Sequence, residues 1–237
     1  MHLADSAFPI GASSHSFGLE TLIAEGYLRA PEIERFLTAL LWESGQMDAC
    51  FIRLAHRYCT TADEAAGVAW WLTLNRYVAA AKGARESRLA SATLGRRFLQ
   101  AVAQLEDDPL LQHHYQAALT AAVDMHYCAA FGLVGGRLAL DEEATVLAYL
   151  QQNTMGLLST CLRLLPIGQG RASEILWRLK PVITAVAAAT QEQLPCVIAA
   201  AEPPDWPAVL AALTTFTPLV DLGSMRHPTL STRLFIS

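Results

Sequence analysis

Pro31-Glu32-Ile33-Glu34-Arg35-Phe36-Leu37-Thr38-Ala39-Leu40-Leu41 sets its large apolar residues at i, i+3, i+4, i+7 and i+8, counted from Ile33. That spacing gathers all five on one face of an α-helix. Pro31 stands where a first-turn proline is expected, and Glu32 and Glu34 suit the positive end of the helix dipole. The same grammar recurs along the chain. Asp48 is expected to cap a helix through about Tyr58, and Asp63 another that runs towards Lys82, with Gly83 as its stop. Leu94, Phe98, Ala101, Val102 and Leu105 form a further stripe, ended by Asp107-Asp108-Pro109. Gln112 to Phe131 reads as one helix, stopped by Gly135-Gly136. Asp141-Glu142-Glu143 opens a block to Leu165 that is apolar nearly all round, the pattern of a central helix. Pro166 and Gly168 close it, and the helix beginning near Ala172 is expected to kink or divide at Pro181. Alternating strand patterns and Asn-Gly or Asp-Gly hairpin signals are absent. The expectation is an all-α, single-domain helical bundle.

The proline-rich break Glu202-Pro203-Pro204-Asp205-Trp206-Pro207 separates a body, residues 1–201, from a C-terminal portion, residues 202–237, of hinge, short helix and tail. From Thr217 the tail carries Pro218, Gly223 and Pro228, and its apolar residues follow no helical stripe. An irregular segment is therefore expected there, not a core-packed helix. Yet the chain closes on Leu234-Phe235-Ile236, which suits an arm that orders against a partner. Such ordering costs about 1–2 kcal/mol per residue, to be offset by new contacts. Removal of Gly223 to Ser237 is expected to abolish partner binding and leave the body folded.

Composition narrows the function. The 237 residues are 53% apolar and only 16% charged, more apolar than is usual, which calls for a large core, an apolar partner surface, or both. No run approaches the roughly 18 apolar residues of a spanning helix, and Met1-His2-Leu3-Ala4-Asp5 lacks the basic and apolar regions of a signal peptide. A cytoplasmic protein without a membrane role is expected. The net charge of −5 and the lack of a prominent basic cluster argue against nucleic acid as a partner. Cys50, Cys59, Cys128, Cys161 and Cys196 are scattered and form no C-x-x-C pair, so they read as small buried hydrophobes. Neither Lys82 nor Lys180 follows G-x-x-x-x-G, so a P-loop is excluded.

Few residues suggest chemistry. Ser13, Ser14, His15 and Ser16 place a base beside nucleophiles, but no G-x-S-x-G elbow surrounds them; serines capping a helix that begins near Phe17 are the better reading. His113 and His114 point about 100° apart on a helix, and His126 and Cys128 are two residues apart, so neither pair ligates one ion without distortion. His227, beside Met225 in the tail, offers at most a weak and transient metal site. Arg85, Arg88, Arg96 and Arg97 make a basic helical stretch suited to a solvated face or to an acidic partner.

Five blocks carry a resemblance. Pro9, Gly11, Ser16, Gly18, Leu19 and Glu20 match an N-terminal pattern of the UreF family; Leu94-Gly95-Arg96-Arg97 is similar to its Gly-Arg segment, and His126-Tyr127 to Phe131-Gly132 to its central block. Leu162-Arg163-Leu164-Leu165-Pro166-Ile167-Gly168-Gln169 resembles its Arg-to-Pro-x-Gly-Gln stretch. Ser224-Met225-Arg226-His227 followed by Arg233-Leu234-Phe235 is similar to the family ending. Ser13 and Ser231 depart from frequent aromatics, and Pro228 from a commonly acidic residue. The resemblance implies a non-enzymatic protein that dimerises, joins UreH (also called UreD) and recruits the GTPase UreG, so that nickel passes into apo-urease. It implies no tightly bound cofactor, nickel being at most transient. The partner-facing residues on this reading are Phe8, Pro9, Gly11, His15, Ser16, Gly18 and Glu20 at one end. Asp221, Met225, Arg226, His227, Arg233, Leu234 and Phe235 serve at the other, with Arg96 and Arg97 between. The alternative is a metallochaperone that holds nickel directly on tail residues such as His227.

Overall fold

The computed structural model describes residues 8–60, 63–198 and 213–236, together with Leu3, Asp5, Val209 and Ala211. The Ile33 stripe folds as α2 (Ile33–Leu40), preceded by α1 (Leu19–Ala24) and continued through a π-turn, Leu41–Gly45, into α3 (Gln46–Tyr58). Then come α4 (Glu64–Ala81), α5 (Arg85–Leu105), α6 (Pro109–Thr120), α7 (Tyr127–Arg137), α8 (Glu142–Leu164) and α9 (Gln169–Ile198). The tail contributes α10 (Pro218–Arg226) and a 3-10 turn, His227–Thr229. No strand occurs among the described residues, and the fold is all-α as the periodicity requires. None of the described helices is long and apolar enough to cross a membrane.

α3 is the axis of the core, buried without interruption from Met47 to Ala55. It packs on α7 so closely that a Cβ on Gly132 would overlap the Ile52 carbonyl oxygen, and α5 crosses the start of α7 with Gly95 against the Met125 carbonyl. Phe8, Phe98, Phe131, Tyr127 and Tyr149 form a chain of ring contacts 5.3–5.9 Å between centroids. Each such side chain contributes about 1.5–3 kcal/mol on burial. Among the described residues the one fully buried arginine, Arg53, is saturated by Thr190 Oγ1 at 3.0 Å, Glu142 at 2.7 Å, the Ala187 carbonyl at 2.9 Å and Glu143.

Several boundaries differ from expectation. Asp48 caps nothing, because α2 and α3 are joined through the π-turn; its carboxylate is buried, accepting from Lys82 Nζ at 3.0 Å and Tyr149 OH at 2.8 Å. Asp63, Asp108 and Asp141 are the true caps of α4, α6 and α8. The helix expected over Gln112 to Phe131 is broken after Thr120 by Ala122, at φ 51°. Gly135 and Gly136 do not stop a helix but lie inside α7, where side chains would collide with Thr145 and Thr60. α9 runs undivided through Pro181, and Pro218–Arg226 is helical although its apolar residues make no single buried stripe. The proline-rich hinge at 202–207 lies outside the described residues.

Candidate functional site: where the two ends of the chain meet

Gly18 is the N-cap of α1 at φ +85°, a conformation side chains rarely adopt. A Cβ there would lie 2.7 Å from the Val220 carbonyl oxygen and 2.8 Å from Ser224 N. Reciprocally, a Cβ on Gly223 would lie 2.8 Å from the Gly18 carbonyl oxygen. The two glycines thus let α1 and α10 cross backbone to backbone. The serines of the N-terminal motif do not cap this helix, contrary to expectation: Ser16 Oγ is buried without a hydrogen-bond partner, and Gly18 supplies the geometry instead.

That crossing brings Glu20, in the first turn of α1 and 4% exposed, against the tail. Its carboxylate accepts from His227 Nε2 at 2.7 Å, from Leu234 N–H at 2.6 Å and from Phe235 N–H at 3.2 Å. Hydrogen bonds to a charged group contribute about 1.5–3 kcal/mol each, and a buried carboxylate without them carries a larger penalty. Further contacts extend the seam: Ile236 N–H donates to Ser14 O at 2.8 Å, Ser87 Oγ to Ser224 Oγ at 3.0 Å, and Arg226 pairs with Glu25 at 2.8 Å. Phe235 is buried beneath the Arg163 guanidinium, 5.6 Å from its ring centre, while Arg163 Nη1 donates to Ser13 O at 2.8 Å.

The outward side of the same tail is apolar. Phe216, Leu219, Leu222 and Met225 are 40–77% exposed along α10 and its approach, and Leu234 and Ile236 flank buried Phe235 at about 70% each. Inside the seam, a cavity of about 150 Å³ lies between the N-terminal motif, α2, α5, α8 and α10, lined by Asp48, Lys82, Tyr149, Thr217 and Asp221 among others. Burial opposes the Lys82 charge, but Asp48, with Cys128 and Asp221, prevails and raises its pKa. Burial, then the Lys82 charge, pushes the pKa of His126 behind that wall down to about 3.

The expected site residues separate into three groups. Gly18, Glu20, His227 and Phe235 meet directly, and Leu234 joins them through its backbone while its side chain points out. Phe8, His15 and Ser16 are buried, and Gly11, at φ +77°, makes room for Arg97, whose Nη1 donates to Ile10 O at 3.3 Å. Pro9, Arg96, Met225, Arg226 and Arg233 are exposed, and Asp221 lies against Gly83 with Thr217 Oγ1 donating to it at 3.4 Å. Burial, then Arg97, lowers the pKa of His15, so its imidazole is neutral near pH 7. Absent from the expected site residues were Arg163, Ser87 and Ser224; Arg163 and Ser224 stood in recognisable blocks, whereas Ser87 carried no signal. Among the described residues no group of three or more His, Cys, Asp or Glu is placed to hold a metal ion. His227 Nε2 is already committed to Glu20.

The sequence model of the UreF family matches residues 29–180. Proteins named urease accessory protein UreF align over essentially the whole chain. That of Actinobacillus pleuropneumoniae serotype 3 (strain JL03) is 31% identical over 240 residues, spanning 100% of this chain and 97% of its own. That of Nostoc sp. (strain PCC 7120) is 28% identical over 243 residues, spanning 100% and 94%. That of Xanthobacter autotrophicus (strain Py2) is 32% identical over 233 residues, spanning 98% and 87%. Both terminal motifs lie outside the span of the family model but within the alignments that cover 100% of this chain, and with the body matched by the model and a relative 31% identical along the full length, the chain belongs to the UreF family of urease accessory proteins.

Proposed function

We propose that this chain is a non-enzymatic scaffold of urease maturation that dimerises, binds UreH/UreD through its docked tail, and recruits the GTPase UreG for nickel insertion into apo-urease. The observation that carries the reading is the tail itself. Its inner side is committed to Glu20 and its outer side leaves Phe216, Leu219, Leu222, Met225, Leu234 and Ile236 exposed within 21 residues. An apolar set of that density marks a protein-binding surface. Nickel is cargo in this scheme and the cytoplasm its setting; membranes and nucleic acid have no part. The metallochaperone alternative requires His227 to leave Glu20, since Nε2 is occupied and the ring is 1% exposed.

The test is size-exclusion chromatography with light scattering on the full chain alone, then with UreH/UreD, then with UreG, GTP and nickel. Stepwise growth to a complex holding paired copies of each component is expected. A chain that elutes in both mixtures as it does alone overturns the scaffold.

A further inference from the structure

We infer that Glu20 is the positioning residue of the partner-binding face: it does not touch the partner but holds the tail in the conformation that presents the apolar side chains outward. The inference rests on the reading of the tail as the UreH/UreD-binding surface and adds to it the element that sets that surface's shape.

The geometry is specific. Leu234 and Phe235 are consecutive, and both amides point at one carboxylate, Leu234 N–H at Oε1 and Phe235 N–H at Oε2. Two successive N–H groups turned to one side fix the local backbone. In that backbone Phe235 faces the core while Leu234 and Ile236 face solvent. The third donor, His227, stands at the end of α10 and binds the same Oε2, so one side chain joins the end of the tail helix to the terminal segment seven residues on. Around this hub the charged neighbours are occupied elsewhere: Arg226 pairs with Glu25, and Arg163 with Ser13 O and the Phe235 ring. Among the described residues Leu234 N–H has no acceptor other than Glu20. With the hub removed, the Gly18–Gly223 crossing still seats α10, but the last residues lose the anchor that sorts Phe235 inward.

Glu20→Ala and Glu20→Gln in the full chain test this by amide hydrogen exchange with far-UV circular dichroism. Loss of charge-assisted hydrogen bonds of about 1.5–3 kcal/mol corresponds to exchange about 10- to 100-fold faster. That acceleration is expected at Leu234 and Phe235 in Glu20→Ala, with the amides of α3 and α7 unchanged. Glu20→Gln keeps an acceptor oxygen for one amide and is expected to be intermediate. Binding of UreH/UreD should weaken in the same order. Unaltered exchange at Leu234 and Phe235 overturns the inference, as does faster exchange with full UreH/UreD binding. The underlying reading is tested separately by Leu222→Asp, which leaves the hub intact: retained binding there removes the tail as the docking surface, whatever Glu20 does. If Glu20→Ala fails to fold, Glu20→Gln carries the test.

Discussion

The helical body and the docked tail use the same packing device to different ends. In the body, Gly95 and Gly132 let α5 and α3 press against α7; in the tail, Gly18 and Gly223 let α1 and α10 cross with their backbones in contact. Both regions also bury charged hubs, Arg53 and Asp48 in the body and Glu20 at the seam. They differ in what faces water. The body's exposed large apolar residues are scattered over its length, and the most exposed, Trp177, carries Lys180 Nζ 3.8 Å from its ring centre. The tail concentrates six in 21 residues. The body's uncovered apolar side chains stand apart along its sequence; the tail is anchored well enough to hold a shape yet leaves a concentrated apolar surface uncovered.

Four perturbations break or sharpen that contrast. The largest effect is expected from Arg53→Ala, which opens a void in the core and removes the donor to Thr190 Oγ1 and the Ala187 carbonyl, while Arg57 keeps Glu142 paired. Truncating a large buried side chain costs about 2–5 kcal/mol, and urea unfolding should show the loss as a shift of a single transition, because the hub ties α3, α8 and α9 together. Gly18→Ala comes next. Its φ of +85° and the approach of Val220 O impose about 1–3 kcal/mol. Here hydrogen exchange should accelerate across residues 218–236 while α3 and α7 keep their protection. Equal loss in both regions would erase the distinction.

The third concerns pH. The His126 pKa is pushed down to about 3 from an ordinary 6.5, by burial and then by Lys82. The unfolded chain therefore takes up a proton between those values that the folded chain refuses. Stability from this residue is complete above about pH 6.5 and is lost as pH falls, by about 1.4 kcal/mol per pH unit. Denaturation at pH 6.5, 5.5 and 4.5 should show a slope that is shallower by that amount in His126→Gln. The smallest effect on stability is expected from Leu222→Asp on the outer tail, within about 0.5 kcal/mol by the same denaturation. A large destabilisation there would mean that the tail's outer side already belongs to the core.

Much of the fold was legible because it rests on local signals. Asp63 and Asp141 cap where their sequence context says they should, and the nearly all-round apolar α8 is central. What misled was tertiary. Asp48 looks like a cap, but its carboxylate is consumed by Lys82 and Tyr149, 34 and 101 residues away. Gly135 and Gly136 look like a stop until Thr145 and Thr60 show why nothing larger fits. Pro181 sits on the outer side of α9, and the helix continues past it. α10 gave no stripe, since its buried positions are Gly223 and Ser224, small residues that no hydrophobic period detects. At the seam, each half was visible as a motif, but their union was not. Glu20 and Phe235 are 215 residues apart, and the bond between them runs through backbone amides, which carry no residue-type signal.

The same long-range coupling makes truncation a blunt probe. Removing Gly223 to Ser237 would strip Glu20 of all three donors and uncover Leu22 along with the docking surface. Substitution on the outer side separates the two roles. The central claim is therefore met most directly by titrating UreH/UreD calorimetrically with the full chain and with its Leu222→Asp, Met225→Asp variant. The account predicts a variant with an unchanged unfolding transition and an affinity weaker by about 2 kcal/mol or more, roughly 30-fold. An affinity equal to that of the unsubstituted chain would contradict it and move the partner-binding surface elsewhere on the body.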